Sequence, residues 1–447
     1  MPQLEFVGQS ARDSDNIQAN SSRLVNLYRE PTVPGGRTAY VLKSVLGGES
    51  FAGVGGVFVR ALDRVGSDLY TLCNGHAFKI VSDGTVTDLG AATDSAQASI
   101  SGNNGDATFC IGAKYYRWNG SALNEPTTGA FSDFGSVDFF GGYTILTELT
   151  GNRFQWSALA NANSLPGLNF SSADGRDDNI TRAVAMNGLL YLFKERSHEI
   201  WYLTGEAGAN AFARQAGGVV DLGLKAFNLI CKFPGGAFMV GNDGKAHLLS
   251  GAVQPVSTPP VETAIKDCGP TACLAYEDEG HTFLCIIFRD CPAWCYDLST
   301  GEWHERGQDT DLGAWKVSAS AKMGDAWYVG RDGGEIIRLS RSDSDAGLAL
   351  AREAVSRTLY SDGARPVVHE LELFPRQGFV DATIELSVSR DGGITWTAPK
   401  ARTVGPVGDY GQRVIWRALG AAREFTVKVR VSDAVNTTMA AEARVRL

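Results

Sequence analysis

The sequence predicts an all-β protein, a β-propeller of six or seven blades followed by a C-terminal β-sandwich. Three observations predict this class: hairpin-like segments recur along the first three quarters of the chain, glycine is abundant, and the strand pattern changes near residue 340. Of the 447 residues, 52 are glycine and 10% are aromatic. Short strands joined by tight turns favour this composition, because primed hairpin turns need a positive φ at their centre.

The clearest repeat is residues 294–306, where an aromatic strand, a polar turn and a second aromatic strand follow one another. Looser copies are centred near Tyr70, Phe109, Ile145, Tyr191, Phe238, Phe283 and Tyr328. These centres lie about 35 to 48 residues apart, close to the spacing of four-stranded propeller blades. A blade cannot bury both faces of its sheet alone, so the copies are predicted to stack into one ring. We count seven copies, with six blades as the alternative.

The sandwich is predicted from longer strands in which apolar and charged residues alternate, at residues 367–374, 382–388 and 425–431. Residues 345–356 fit either a short helix or a strand leading into the sandwich. We therefore divide the chain into an N-terminal arm (1–45), a propeller (46–340) and a sandwich-like domain (341–447). Because the arm is polar and rich in turn residues, we expect it to be extended and engaged with a neighbouring copy.

Composition excludes several function classes. The net charge is −9, which does not favour generic binding to a phosphate backbone. The first residues lack the basic and apolar regions of a signal peptide, and no apolar run approaches the roughly 20 residues of a membrane span. We therefore expect a chain made and kept in a cytoplasm, without a membrane partner.

The eight cysteines are predicted to be structural. Three of them lie in apolar strand patterns and are expected to be small buried hydrophobic residues: Cys73, Cys110 and Cys285. A denser group comprises Cys268, Cys273, Cys285, Cys291 and Cys295. Because this group contains no Cys-x-x-Cys pair and no nearby histidine pair at zinc spacing, we expect neither a disulfide nor a metal there.

Residues 389–396 match the Asp-box pattern Ser-x-Asp-x-Gly-x-Thr-Trp. In such a turn Asp391 is expected to accept hydrogen bonds from turn amides, glycine supplies an unusual backbone angle, and Trp396 packs under the hairpin. Sialidases and related glycan-active propellers repeat this box across several blades, away from the catalytic centre. Here the one full match lies outside the propeller repeats, which favours a structural role for Asp391.

Catalytic constellations are weak. Glycoside hydrolysis needs two carboxyl groups facing each other across a bond, and the glycine-containing loop at 172–178 offers Asp174, Asp177 and Asp178. Adjacent acids in such a loop are more typical of a solvated turn. His281 and His304 flank strands of the sixth repeat and are predicted to be hydrogen-bonded strand-end residues. Without a nucleophile elbow, phosphate loop or His-Glu-x-x-His motif, we predict no catalytic, cofactor-binding or metal-binding residues, no cofactor and no enzymatic activity.

An ordered set of segments carries a family resemblance. The set comprises residues 22–30, 59–62, Glu195 with 198–205, 212–214, 279–283 and 296–306. In this order they resemble the packaged-DNA stabilisation proteins of short-tailed bacteriophages, also called tail hub or head completion proteins. The Asp box with residues 408–416 and 419–425 is similar to a module common in phage structural proteins. The chain departs from the family at Leu46-Gly47, where Pro-Gly is frequent, and in its cysteines near 268–295.

The resemblance implies a structural virion protein made in the cytoplasm of a host bacterium. Copies are expected to form a homo-oligomeric ring, a hexamer, below the portal and its adaptor. The ring would extend the DNA channel, stabilise packaged DNA, and anchor tail fibres or tailspikes and a tail needle. DNA would pass through without sequence-specific binding. The alternative is a glycan-degrading, sialidase-like propeller, or a glycan-binding one.

Overall fold

The computed structural model describes residues 3–6, 22–32, 38–126, 129–361, 363–379, 381–434 and 438–446. Within these ranges the propeller has seven four-stranded blades. From the channel outward, blade 1 consists of Val59–Val65, Asp68–Cys73, His76–Ile80 and Val86–Ala91. Blade 2 consists of Ala98–Asn103, Asp106–Ile111, Lys114–Trp118 and Leu123–Asn124. Blade 3 consists of Phe134–Phe140, Tyr143–Glu148, Arg153–Trp156 and Phe170–Ser172. Blade 4 consists of Ile180–Met186, Leu189–Lys194, His198–Leu203 and Phe212–Val220. Blade 5 consists of Ile230–Phe233, Gly236–Val240, Ala246–Ser250 and Ala252–Pro255.

Blades 6 and 7 complete the ring. Blade 6 consists of Pro270–Asp278, His281–Phe288, Ala293–Asp297 and Glu302–Gln308. Blade 7 consists of Val317–Met323, Ala326–Arg331, Glu335–Ser340 and Gly47–Gly53. The predicted fold class is confirmed, and the seven repeat centres found in the sequence all lie in the second strands of their blades.

A strand from the N-terminal part of the chain closes the ring. Gly47–Gly53 pairs antiparallel with Glu335–Ser340 and supplies the outer strand of blade 7. A side chain at Gly47 would bring a Cβ atom to 2.4 Å from the carbonyl oxygens of Ser342 and Ser344, so glycine is required for this close approach. Backbone hydrogen bonds therefore join the two ends of the propeller segment.

Small polar side chains connect the innermost strands of neighbouring blades. Ser99 Oγ accepts a hydrogen bond from the backbone N–H of Val137 at 2.9 Å, across blades 2 and 3. Ser318 Oγ of blade 7 donates to the carbonyl of Val59 in blade 1 at 2.6 Å, and Ser320 makes the same kind of contact with blade 6. These bonds satisfy backbone groups that face the channel instead of a paired strand.

The sandwich consists of two main sheets and a small third one. The first contains Gln3–Glu5, Glu442–Arg446, Val367–Leu373 and Val414–Ala421. The second contains Arg23–Val25, Arg352–Val355, Glu424–Val431, Thr383–Ser389 and Lys400–Thr403, and the third Leu27–Pro31, Tyr40–Ser44 and Thr438–Ala440. The remaining short strands are Gly313–Ala314, Ser344–Asp345, Leu348–Ala349 and Leu359–Tyr360. Residues 345–356 thus follow the strand alternative.

The N-terminal segments differ from the extended arm that the sequence predicts. Residues 3–5 pair with 442–444, and residues 27–31 pair with 40–44 of the same chain. Leu4, Phe6 and Leu24 are buried in one core with Trp416 and Val427 of the sandwich. Apolar side chains spaced along the polar arm fill this core, so the described part of the arm packs on its own chain. Residues 1–2, 7–21 and 33–37 lie outside the described residues, and the division at residues 45 and 340 stays a prediction.

One α-helix, Pro259–Asp267, precedes blade 6, and a 3-10 turn spans Gly208–Asn210. The α-helix was not predicted, because nine residues are too few for a sustained period. The signals for it were Pro259 at its start and the buried pair Val261 and Ile265, four residues apart. In the part of the chain that the structure describes, no helix has the length and apolar character needed to cross a membrane.

Candidate functional site

Blade 6 and the sandwich share one sheet. The outer strand of blade 6 pairs in parallel with Arg23–Val25 through Val25 and Glu305, and Arg23–Val25 pairs with Arg352–Val355 of the sandwich. The result is an 11-stranded sheet that begins at the channel and ends at the far edge of the sandwich. We call the contact of residues 22–30 with blade 6 and residues 351–355 the junction.

Asn26 joins the three chain segments of the junction. Its side-chain amide donates to the carbonyls of Gly307, at 3.0 Å, and Ala351, at 2.7 Å, while its carbonyl oxygen accepts from the N–H of Gly307 at 3.0 Å. Asn26 is fully buried and has a φ of 57°, a conformation that asparagine tolerates better than most residues. The side chain thus replaces backbone partners that the three segments lack.

Buried charges accompany this amide. Arg23 Nε lies 2.8 Å from Glu305 Oε1, and Arg23 Nη1 lies 3.5 Å from the carboxylate of Glu353. Both carboxylates are almost completely buried. Removing one partner of such a group leaves an uncompensated buried charge, which costs several kcal/mol, about 3 to 5.

A second charge network continues the junction, where the N-terminal hairpin covers blade 6. The buried imidazole of His281 contacts Asp297 through Nδ1 and Glu30 through Nε2, each at 2.7 Å. The hydrogen bond with Asp297 raises the pKa of His281, and Glu30 acts in the same direction against burial. Tyr28 packs edge-on against this imidazole with 5.0 Å between ring centroids. The predicted role of His281 as a hydrogen-bonded strand-end residue agrees with this geometry.

Arginine and lysine side chains extend the network outward. Arg341 lies 2.7 Å from the carboxylate of Asp278 and 3.0 Å from that of Glu279, and Lys43 lies 2.9 Å from Glu279. Burial raises the pKa of Asp278, an effect that Arg341 opposes. The network therefore ties Tyr28, Glu30 and Lys43 to the inner turn of blade 6.

Three of the segments that carry the family resemblance meet in space here. Residues 22–30 supply Arg23, Asn26 and Glu30, while residues 279–283 and 296–306 supply the partners on blade 6. The side chains in these segments build contacts within the chain, and none of the contacts described above brings together groups for catalysis. The junction is the candidate functional site. Its role is mechanical, because its contacts fix the sandwich on the propeller.

The propeller channel contains a cavity of about 250 Å³ with charged walls. Its charged lining residues are Arg60, Arg182, Lys232, Lys322, Asp63 and Asp138. Lys232 pairs with Asp138 at 3.2 Å and Lys322 with Glu277 at 2.5 Å. Several of these charges are thus compensated by neighbours in the wall.

The loop acids considered for glycoside hydrolysis bind neighbouring chain segments. Asp178 is buried, pairs with Lys194 Nζ at 2.9 Å and accepts from the N–H of Arg196 at 2.8 Å. Burial raises its pKa, but the hydrogen bonds from Lys194, Arg196 and Ser197 outweigh burial and lower it. Asp174 pairs with Arg214 at 2.9 Å, and the Asp177 carbonyl accepts from Arg196 at 2.9 Å. These contacts use Asp174 and Asp178 as structural anions.

Asp391 forms the turn that the Asp box predicts. Its carboxylate accepts from the N–H groups of Ile394 at 3.1 Å and Thr395 at 2.9 Å and from the Ser389 hydroxyl at 2.6 Å. Burial raises its pKa, but the hydrogen bonds from Ser389, Ile394 and Thr395 together outweigh burial and lower it to about 2. Trp396 is only half-buried, with Lys428 Nζ 4.8 Å from its ring centroid, so it does not pack fully under the hairpin.

Two family models match the chain in sequence. One, described as bacteriophage P22 Gp10, beta-propeller, matches residues 6–337, and the other, described as bacteriophage P22 Gp10, beta-sandwich, matches residues 351–446. The chain belongs to the bacteriophage P22 Gp10 family. The resemblance to the packaged-DNA stabilisation proteins is thereby confirmed, and the protein is a structural phage protein.

Solved propellers are more distant from this Gp10-family chain, and no curated protein matches it. The WD40 domain of Neurospora crassa Pan2 is 9% identical, with 65% of this chain and 94% of that chain covered and a TM-score of 0.45. YCF48 from Cyanidioschyzon merolae is 11% identical, with coverage of 66% and 99% and a TM-score of 0.44.

The cysteines correct one prediction. Cys268 and Cys291 form a disulfide, which the sequence analysis did not expect. Their spacing matches no known motif, and only the fold brings the end of the helix Pro259–Asp267 to the turn after His281–Phe288. Cys73, Cys110 and Cys285 are buried as predicted. Within the described ranges, no cluster of three or more His, Cys, Asp or Glu side chains is arranged to hold a metal ion.

Sequence reasoning also missed the junction residues as a group. Asn26, Glu305 and Ala351 are far apart in the chain, and no local pattern links them. The available signal was indirect: residues 22–30 and 296–306 both belong to the ordered set of segments that carries the family resemblance. Residue His304 is buried and packs against Phe283, with 5.2 Å between ring centroids.

Proposed function

We propose that this Gp10-family chain is a tail hub of a short-tailed phage. Copies form a homo-oligomeric ring, a hexamer, below the portal and its adaptor. The ring extends the DNA channel, stabilises packaged DNA, and anchors tail fibres or tailspikes and a tail needle. The protein is made in the cytoplasm of the host bacterium, is incorporated into the tail of the virion and has no enzymatic activity.

The observation that carries this proposal is the match of both family models, in order, along almost the whole chain. A single-domain match would be compatible with a propeller reused for another purpose, since one fold hosts many functions. Here the propeller and the sandwich occur together and share one hydrogen-bonded sheet. The pair therefore behaves as one structural unit.

The junction supports a mechanical role. A hub that holds pressurised DNA must not open between its domains, and domains joined only by a linker move relative to each other by default. The sheet continuity at Val25 and Glu305 and the buried contacts of Asn26 and Arg23 oppose such motion. We propose that this rigidity is what the junction provides in this chain.

Ring formation needs surfaces on the single chain that a neighbour can cover. Three apolar side chains on two loops at one end of the sandwich are exposed: Phe379, Val407 and Tyr410, at 54%, 69% and 66%. The rings of Phe379 and Tyr410 lie 6.0 Å apart, and we call these three residues the apolar tip. Exposed apolar clusters mark protein contacts, and we propose that a neighbouring copy in the ring covers the apolar tip.

The charge of the chain fits passage of DNA without tight binding. At a net charge of −9, a ring repels phosphate on average, which allows the genome to slide. The glycan-active alternative has less support, because Asp174, Asp178 and Asp391 are all engaged in contacts that stabilise loops.

Purified virions test the proposal directly. Quantitative mass spectrometry should find the protein at a fixed small copy number that corresponds to one ring per particle. Gold-labelled antibody should bind at the tail vertex in negative-stain images. Absence of the protein from washed particles, or labelling distributed over the whole head, would contradict the hub role.

A further inference from the structure

Two cysteines of blade 6 face each other across neighbouring strands. Cys285 in His281–Phe288 is paired in antiparallel register with Cys295 in Ala293–Asp297. Their Sγ atoms are 2.6 Å apart, and both side chains are fully buried. A disulfide requires Cβ atoms about 4 Å apart in facing side chains. A cross-strand pair in this register needs only small side-chain shifts to form such a bond.

The surroundings of the pair favour a thiol at Cys285 and a thiolate at Cys295. The two sulfur atoms are in direct contact. Burial raises the pKa of Cys295, but Cys285, His304 and Arg306 outweigh burial and lower it to about 6. Burial raises the pKa of Cys285 well above its usual value. At neutral pH the pair therefore holds one proton, and the thiolate is the form that attacks disulfides.

Arg306 supplies a structural reason for the thiolate. Its guanidinium is fully buried and lies 3.6 Å from the centroid of the Trp315 ring. Nη2 donates to the carbonyl of Leu46 at 2.8 Å, while Nε and Nη1 have no hydrogen-bond partner among the described residues. A buried cation whose donors are incompletely satisfied favours a nearby anion.

The same blade already contains a disulfide. Cys268, at the end of the helix Pro259–Asp267, is bonded to Cys291 in the turn between the second and third strands. Cys285 and Cys295 lie on those same two strands. Oxidised cysteines are therefore compatible with the fold of blade 6.

We propose that Cys285 and Cys295 are a reversible redox pair that forms a second disulfide within blade 6. With a small-molecule disulfide such as oxidised glutathione as the oxidant, the Cys295 thiolate attacks one sulfur and releases one glutathione thiolate. That thiolate takes the proton of Cys285, whose sulfur then attacks Cys295 and releases the second glutathione thiolate. The two cysteines lose two electrons, and one oxidised glutathione becomes two reduced molecules.

Burial and charge set the conditions for this exchange. Because both sulfur atoms are inaccessible in the closed blade, exchange takes place when blade 6 opens locally or before it closes during folding. Oxidation removes the thiolate beside Arg306, so the electrostatics of the site favour the reduced form. A bond whose reduced form is stabilised in this way is reversed by mild reductants.

Equilibration of the full chain in glutathione buffers tests the proposal. After equilibration, the protein is quenched in acid, unfolded, alkylated and mapped by peptide mass spectrometry. In oxidising buffer, a peptide pair linked through Cys285 and Cys295 should appear, and the six free cysteines should become four alkylated ones. Return to reducing buffer should restore the two thiols.

Variants separate this pair from other cysteines. Cys285→Ser should abolish the loss of thiols, whereas Cys110→Ser, at another buried cysteine, should leave the linked peptide unchanged. If all six free thiols of the wild-type chain stay alkylatable in oxidising buffer, or if the new cross-link joins other cysteines, the proposal is wrong. Because the cross-link is read in the wild-type protein, poor folding of a variant does not affect this outcome.

Discussion

The imidazole of His281 lies 2.7 Å from the carboxylate of Glu30, across the contact between blade 6 and the N-terminal hairpin. On its other side the imidazole binds Asp297 at the same distance. A protonated imidazole between two carboxylates is a pH-dependent contact, because only the charged form satisfies both. One part of the contact between the hairpin and the propeller therefore depends on the charge of His281.

Replacement of His281 by asparagine should destabilise the protein in a pH-dependent way. The folded-state pKa of His281 is raised, so its contribution is complete below about pH 6.5 and is lost as pH rises through the folded pKa. At pH 6, His281→Asn should cost about 3 kcal/mol, because it leaves the buried carboxylate of Asp297 without its cation. Urea denaturation at several pH values measures this difference, which should shrink at higher pH.

The control for this prediction is His76→Asn. His76 contacts Asp88 at 2.9 Å, but both side chains are substantially exposed, so the change should be below about 1 kcal/mol at every pH. Equal losses for the two variants, or a His281→Asn effect that grows with pH, would contradict the assignment.

Truncation of Trp303 should strongly destabilise the propeller. Trp303 is 1% exposed, packs against Trp294 and Tyr296, and donates its indole N–H to the carbonyl of Val256 at 2.9 Å. Trp303→Ala should cost about 3 to 5 kcal/mol in the free energy of unfolding. Trp396→Ala, at the half-buried tryptophan of the sandwich, should cost clearly less. Unchanged melting of the Trp303 variant would show that this side chain is not a core element.

Asp391 should contribute stability that is lost in acid. Its folded pKa of about 2 lies below the unfolded value near 3.9, so its charged form stabilises the turn above about pH 4, and the contribution disappears as pH falls towards 2. Asp391→Ala should cost about 1 kcal/mol at pH 7 through lost turn hydrogen bonds. Thermal unfolding of the wild-type protein and of Asp391→Ala should show a difference in melting temperature that is smaller at pH 3 than at pH 7. A difference in melting temperature that does not change with pH would exclude this role of Asp391.

Polar substitutions in the apolar tip should weaken the ring without unfolding the chain. Val407→Ser and Tyr410→Ser change side chains that are 69% and 66% exposed, so the melting temperature should stay nearly constant. Sedimentation velocity should show a shift from ring to monomer. Ile394→Ser is the matched control, because Ile394 is 66% exposed on the same domain but outside the tip. Rings of unchanged size in the tip variants would place the subunit contact elsewhere.

The propeller could be predicted from the sequence because its signal is local. Each blade repeats a hairpin whose apolar centre, such as Tyr191 or Phe283, is recognisable within a few residues. The sandwich could be predicted for the same reason, from the alternation in strands such as Glu424–Val431. Both patterns can be recognised within a short stretch of sequence, so neither depends on knowing which distant residues pair.

The junction could not be predicted, because its partners are distant in sequence. Asn26 binds Gly307 and Ala351, and the strand Gly47–Gly53 pairs with Glu335–Ser340; neither relation leaves a periodic pattern. The Cys268–Cys291 disulfide has the same character, since its two ends meet only once blade 6 has folded. Local sequence patterns predict the blades, whereas long-range strand pairing determines how the ring closes and how the sandwich attaches.

Disruption of the gene in the phage that carries it is the most direct test of the hub role. Particles should be purified from a non-suppressing host and compared with particles complemented by the wild-type gene. We expect heads that fill with DNA, then leak it and lack tails, and complementation should restore tailed, infectious particles. Intact tailed particles that retain DNA and fail only on encapsulated hosts would contradict the hub role and point to a glycan-active protein.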